Sequence, residues 1–200
     1  MPSQNKTIHN RSIQAFLLLL FLAIGFGLGH WHAHNRLPPS VAFLDDPKTQ
    51  IMVRFSPRGG CTQLILEAIE RAQTRIYVYA YAFTSAPIAD ALIAAQRRGV
   101  QVCILVDRRQ SKGRGCQIPR LHAHGIPIWL EKVSGLSHNK VMILDHTHLL
   151  TGSFNWSAAA EYRNGENLLY IKSKTLNRHY RIDWHQRMKK SPSYGALGSV

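Results

Sequence analysis

Apolar and polar positions fall into blocks that change period along the chain, and the blocks read as alternating strands and helices. Residues 50–55 pattern as a first strand, 56–60 (Ser56-Pro57-Arg58-Gly59-Gly60) as a loop, and 62–73 as a helix with Leu64, Ile65, Ala68 and Ile69 inward. Residues 75–84 form a strand with Tyr77, Tyr79, Tyr81 and Phe83 on one face. Such a row suits stacking on single-stranded bases, but on a central strand a packed core is the favoured reading. A helix over 88–98, closed by Gly99, leads to a continuously apolar strand over 100–106, the pattern of a strand covered on both faces. A short helix over 118–124 and a strand over 126–130 follow, then an apolar run at 141–144 and a returning strand at 148–151. Residues 157–162 form a short helix that Asn164-Gly165 stops, and 167–171 a strand. A last helix over 175–190 carries Leu176, Tyr180, Trp184 and Met188 as one stripe. Strands alternating with helices place the chain in the α/β class.

The amino-terminal segment breaks this pattern. Residues 1–12 carry Lys6 and Arg11 and no acid, and 15–29 is an apolar run rich in Leu and Phe. Its length fits the apolar region of a signal peptide and falls short of the roughly 20 residues of a spanning helix. The uncharged stretch continues to Arg36, so an anchor is the alternative, with Ser40-Val41-Ala42 as a cleavage site if the segment is removed. Either reading puts the domain outside the cytoplasm, periplasmic or anchored in the inner membrane facing the periplasm. His30, His32 and His34 form a cluster read as juxtamembrane polar residues, with metal binding as the alternative. The expected organisation is a signal peptide or anchor over 1–34, a Pro-containing linker over 35–49, one domain over 50–190 and a tail over 191–200.

Charge narrows the partners. The 200-residue chain has a net charge of +14 and a pI near 10.2. From residue 45 onward 22 Lys and Arg face 11 acids, so the domain alone carries +11. A basic domain favours a polyanion, either nucleic acid or an anionic membrane surface. Apolar residues at 45% and charged residues at 18% exclude a disordered chain. Cys61, Cys103 and Cys116 lack metal-ligand spacing, which leaves room for at most one disulfide. Two features are candidates for phosphate contacts: Arg58 with its neighbouring glycines, and the basic loop 108–114 with Arg108, Arg109 and Lys112. That loop follows a strand end, where α/β sheets tend to bind ligands.

The densest candidate chemistry lies at 138–155. A two-residue turn at 146–147 would place Asp145 opposite His148, Lys140 opposite Ser153 and His138 opposite Asn155, with opposed Cβ atoms about 5 Å apart. An imidazole, an ammonium, a hydroxyl and an amide would then share one face. Strand parity sends Asp145 to the other face, in a structural role at the turn. A neutral imidazole is a nucleophile or base near neutral pH, and the other groups suit the oxygens of a phosphodiester.

The spacing His138-x-Lys140, four residues, Asp145, six residues, Gly152-Ser153, with Asn155 two further on, closely resembles the signature of the phospholipase D superfamily. The likeness extends from about Phe55 to Trp184 and includes Phe55-Ser56-Pro57, the segment 80–84, Arg98-Gly99-Val100 and Asn164-Gly165-Glu166-Asn167. It is strongest to the small bacterial endonucleases with one HKD motif per chain, related to the mitochondrial member. The resemblance implies a mixed β-sheet flanked by helices on both faces. It further implies a catalytic set of His138, Lys140, Ser153, Asn155, Asp145 and Glu166, the last hydrogen-bonded to the imidazole, with no metal and no cofactor. Since the chemistry needs two histidines and the chain has one motif, it implies a homodimer with facing motifs: one His138 forms a phosphohistidine and the other acts as general acid, then base.

Three functions fit these residues. A nuclease acting on DNA or RNA suits the charge, and exposed apolar segments beyond the amino terminus are expected to be few. A phospholipase D suits the same catalytic centre and a membrane-proximal site, with membrane association through the amino-terminal segment. A membrane-anchored nucleic-acid-binding module without turnover is the third, and the complete motif weighs against it.

Overall fold

A computed structural model describes residues 47–197. The amino-terminal apolar run, the His30/His32/His34 cluster and most of the linker lie outside the described residues. Among those described, no helix is long and apolar enough to cross a membrane.

Seven strands form one mixed sheet: β1 (Gln50–Ser56), β2 (Arg75–Ala80), β3 (Gln101–Asp107), β4 (Ile128–Glu131), β5 (Val141–Leu144), β6 (His148–Gly152) and β7 (Glu166–Lys172), in spatial order β1-β7-β6-β5-β2-β3-β4. β2, β3 and β4 run parallel; β5, β6, β7 and β1 pair antiparallel. The helices are α1 (Cys61–Arg71), α2 (Ala86–Arg97), α3 (Ile118–Ala123), α4 (Ala158–Tyr162) and α5 (Lys174–Lys189). Every element expected from the pattern is present, with ends shifted by a few residues.

Alternation along the central strands explains the two layers. Ile76, Val78 and Ala80 of β2, Val102, Ile104 and Val106 of β3, and Met142 and Leu144 of β5 pack with α1, α2 and α3. Tyr77, Tyr79, Cys103, Leu105, Val141 and Ile143 face the other way, onto Trp184, Leu176, Tyr180 and Met188 of α5. Trp184 stacks on Tyr77 with ring centroids 4.7 Å apart and donates Nε1–H to the Val78 carbonyl at 3.2 Å. The single helix α5 does not reach the far edge of the sheet. There β1 is exposed along its length, with Ile51 at 63% and Phe55 at 64% of full exposure beside exposed Met52 and Val53. The expectation of few exposed apolar segments is therefore corrected at this edge. The cysteines are all free: Cys61 and Cys103 are core, and Cys116 Sγ–H points to the Gln110 carbonyl.

The hairpin register also differs from expectation. Leu144, not Asp145, faces His148, and Val141 faces Thr151, so the turn has three residues and the oppositions of Lys140 with Ser153 and of His138 with Asn155 do not form. Asp145 is the reason. It adopts φ 51°, a left-handed conformation that Asp tolerates. Its carboxylate leaves the hairpin to accept N–H bonds from Gln73, Thr74 and Arg75 and the Thr74 hydroxyl, at 2.8–3.2 Å. Asn177 of α5 fixes the same turn from the other side by donating to the carbonyls of Leu144 and His148.

Partial burial alone would raise the Asp145 pKa, but the hydrogen bonds from residues 73–75 outweigh it and hold the carboxyl below its ordinary 3.8. A depressed carboxyl stabilises the fold above the unfolded value, and this contribution is lost as pH falls through the folded one. Asp145→Ala should thus cost about 1–2 kcal/mol at pH 7, a drop of roughly 2–8 °C in Tm. Thermal melts of both proteins should show that gap closing below about pH 4.

Candidate active site

One end of the sheet collects the chemistry: the carboxyl ends of β2, β3, β4, β6 and β1, and the segment entering β5. Open α/β sheets present ligand sites at the carboxyl ends of their parallel strands. β2 ends at Ala80, so the alternation of the aromatic row is broken there. Tyr77 and Tyr79 remain in the α5 layer and Phe83 enters the other core. Tyr81 turns to the sheet end, where its ring meets the His138 ring edge-on at 4.4 Å. The Lys140 ammonium sits 5.0 Å from the same Tyr81 ring. Tyr81 is the site residue that sequence reasoning missed, because the strand, read as running to residue 84, ends at Ala80.

His138 is exposed and Lys140 is buried to 6% of full exposure, with Nζ donating to the His138 carbonyl at 2.9 Å. The pair thus offers an exposed His138 and, beside it, a cation kept largely from solvent. Burial lowers the Lys140 pKa from its usual 10.5, and the negative charge of Glu166 partly restores it. A partly desolvated cation attracts an anionic group more strongly than one in water, because the local dielectric is lower.

Ser153 and Asn155 arrive by a different route from the expected hairpin opposition. Gly152 ends β6 against β7 so closely that a Cβ there would lie 2.3 Å from the Asn167 carbonyl oxygen. Beyond it Ser153 N–H and Phe154 N–H both donate to that oxygen, while Ser153 Oγ accepts from Asn167 N–H at 3.0 Å. The chain then crosses to the end of β2. Trp156 donates Nε1–H to the Tyr79 carbonyl, and Thr84 and Ser85 donate N–H to the Trp156 carbonyl. Asn155, between these anchors, has a buried Oδ1 with no hydrogen-bond partner among the described residues, so its amide is not spent on the fold.

Glu166 begins β7 opposite Ser56, whose Oγ accepts its N–H. Its Oε1 accepts from Asn164 Nδ2 at 3.0 Å, and the expected hydrogen bond from the imidazole is not formed within this chain. Glu166 instead acts on the site through its charge near Lys140. Asp145 stands apart from the cluster, bound to residues 73–75; its place in the turn beyond β5, and not strand parity, takes it there.

The candidate phosphate contacts are scattered. Arg58, exposed and at φ 61°, lies on the β1–α1 loop, where its N–H donates to the Glu161 carbonyl. Buried Glu161 pins that loop by accepting from the N–H groups of Gly60 and Thr62 at the start of α1, where a carboxylate is favoured. Arg108 and Arg109 line a cavity beyond β3 and β4, whereas Lys112 is exposed on the loop beyond and does not line it. Among the described residues no group of three or more His, Cys, Asp or Glu side chains is placed to hold a metal ion.

Glu166→Gln removes the charge that raises the Lys140 pKa, so Lys140 should titrate at a still lower pH in that variant. Side-chain NMR titration of the lysines in the two proteins measures this directly; an unmoved or raised Lys140 titration would contradict the placement of Glu166.

Comparison with known proteins agrees with this geometry. Residues 65–188 match the family described as cardiolipin synthase, PLD-like domain. A phospholipase D of Rickettsia felis is 41% identical over 140 residues, 70% of each chain. The mitochondrial cardiolipin hydrolase of Xenopus laevis is 28% identical over 176 residues, 82% of this chain and 84% of that one. Among solved structures, the phospholipase D family member Nuc from Salmonella typhimurium superposes with a TM-score of 0.69 at 36% identity, covering 74% of this chain and 99% of that one. With His138, Lys140, Ser153 and Asn155 at this end of the sheet, the chain belongs to the phospholipase D superfamily of phosphodiester hydrolases.

Proposed function

We propose that the chain is an endonuclease that cleaves nucleic-acid phosphodiester bonds without a metal ion, through a phosphohistidine on His138. The observation that carries this reading is the exposed His138, whose carbonyl holds the buried ammonium of Lys140, in a domain with a net charge of +11. The basic domain suits a polyanionic strand, and the likeness to Nuc supports the same choice.

An imidazole nitrogen of His138 attacks phosphorus, and the phosphorus–oxygen bond to the leaving strand breaks as that oxygen takes a proton from the partner's His138. The partner's imidazole, now neutral, removes a proton from water; the resulting hydroxide displaces His138 from phosphorus and releases the second product. Lys140 and Asn155 hold the non-bridging oxygens as charge builds there, and Ser153 supports them through its bond to β7. One motif per chain makes this a reaction of a homodimer with its two sites facing. The amino-terminal segment, basic and then apolar, carries the domain out of the cytoplasm as a signal or an anchor.

A second reading, phospholipase D acting on lipid headgroups, is favoured by the exposed apolar strand β1, whose Phe55 lies beside Ser56 at the site end of the sheet. The names of the Rickettsia and Xenopus relatives point the same way.

Native protein and His138→Ala, each in excess EDTA, should be given labelled single-stranded DNA, RNA and phosphatidylcholine vesicles. Cleavage of nucleic acid that survives EDTA and falls by about 10²–10⁴-fold or more in the variant is the expected result. Headgroup release with intact nucleic acid would reverse the substrate assignment.

A further inference from the structure

Beyond the carboxyl ends of β3 and β4 lies a cavity of about 320 Å³, lined by Asp107, Arg108, Arg109, Glu131, Lys132 and Val133. Its size is at the lower end of the range for small-molecule sites. Two of the lining residues are buried carboxylates, which at first sight would repel an anion. Both are held by hydrogen bonds, only Glu131 with an ion pair as well, and the three cations of the lining outnumber the two acids. Asp107 accepts from Arg109 N–H at 2.8 Å and Ser137 N–H at 2.7 Å. Glu131 accepts from the Ser137 hydroxyl and, at 2.9 Å, from the Arg187 guanidinium. Arg187 in turn is held by Asp183, which also accepts from the Tyr79 hydroxyl.

The charge left over is positive. Arg108 and Lys132 are exposed and make no ion pair among the described residues. The Arg109 guanidinium reaches across to the Gly135 carbonyl, tying the loop after β3 to the loop that leads into His138. Ser137, bound to both carboxylates of the cavity, immediately precedes His138, so the two Cα atoms are about 3.8 Å apart. A cationic cavity therefore adjoins the nucleophile and is fixed to it through one buried hydrogen-bonded residue.

We propose that this cavity is a second phosphate subsite, which takes the phosphate adjacent to the scissile one along a nucleic-acid strand. The inference rests on the nuclease reading above and adds to it where the strand runs: from His138 toward β3 and β4, over Arg108 and Lys132. Arg108 and Lys132 are the recognising charges, Arg109 ties the neighbouring loops together, and the hydrogen-bonded acids complete the lining. Such a contact reads the backbone and not the bases, so it extends grip without sequence preference.

The test compares thymidylyl-thymidine, which has one phosphodiester and no other phosphate, with the same dinucleotide carrying a terminal phosphate at its 5′ or its 3′ end. The native full-length protein should turn over one of the phosphorylated forms with KM lower by at least about tenfold than the bare dinucleotide, as a charge-assisted contact requires. The double variant Arg108→Ala/Lys132→Ala should bring that ratio close to one; both residues are exposed, and circular dichroism checks the fold. Equal KM for all three dinucleotides in the native protein, or a ratio kept in the variant, would overturn the subsite and leave the nuclease reading standing. Cleavage of none of the three, with headgroup release from cardiolipin vesicles, would overturn both.

Discussion

The pairing of Ser153 with Asn167 is the contact on which the rest of the sheet end depends. It needs glycine at 152, because the two backbones approach to a distance that no side chain fits. Through it the end of β6 is locked to β7. That fixes three things together: the Ser153 hydroxyl, the start of β7 that carries Glu166 toward Lys140, and the direction in which the chain leaves to bring Asn155 to the end of β2. Removing that approach would separate groups that lie far apart in sequence and share no other direct bond.

Around this seam the protein divides labour between groups committed to the fold and groups left free. Ser153, Glu166, Asp145 and Glu161 spend their oxygens on backbone N–H groups or neighbouring side chains. The His138 ring and the Asn155 amide oxygen are not so spent. Lys140 is intermediate: anchored by one carbonyl, screened by the Tyr81 ring, yet biased by burial against its own charge. A phosphate arriving there meets the ammonium of Lys140 already held in place and needing little reorganisation, which is where electrostatic preorganisation acts.

Much of this was legible from residue patterns. Period and punctuation located all seven strands and five helices: the aromatic row at 77–83 and the continuous apolar run at 100–106 mark central strands, and the stripe Leu176, Tyr180, Trp184 and Met188 marks the buried face of α5. The spacing from His138 to Asn155 located the site. What was hidden depends on contacts distant in sequence. The hairpin register slipped by one because Asp145 is claimed by backbone groups some 70 residues earlier, which no local window reveals. Tyr81 looked like one more core aromatic because strand alternation cannot announce its own end. The engagement of Asp107 and Glu131 by Ser137 was likewise invisible, since each acid ends a different strand.

The uncovered strand β1 bears on how the domain behaves in bulk solution. Ile51, Met52, Val53 and Phe55 stand open on an edge strand whose outer backbone groups are unpaired by the sheet, interrupted only by the cation Arg54. Edges of this kind template further strands, and a single charge is a weak guard. The exposed edge thus gives the domain a route to self-association that does not require its core to unfold.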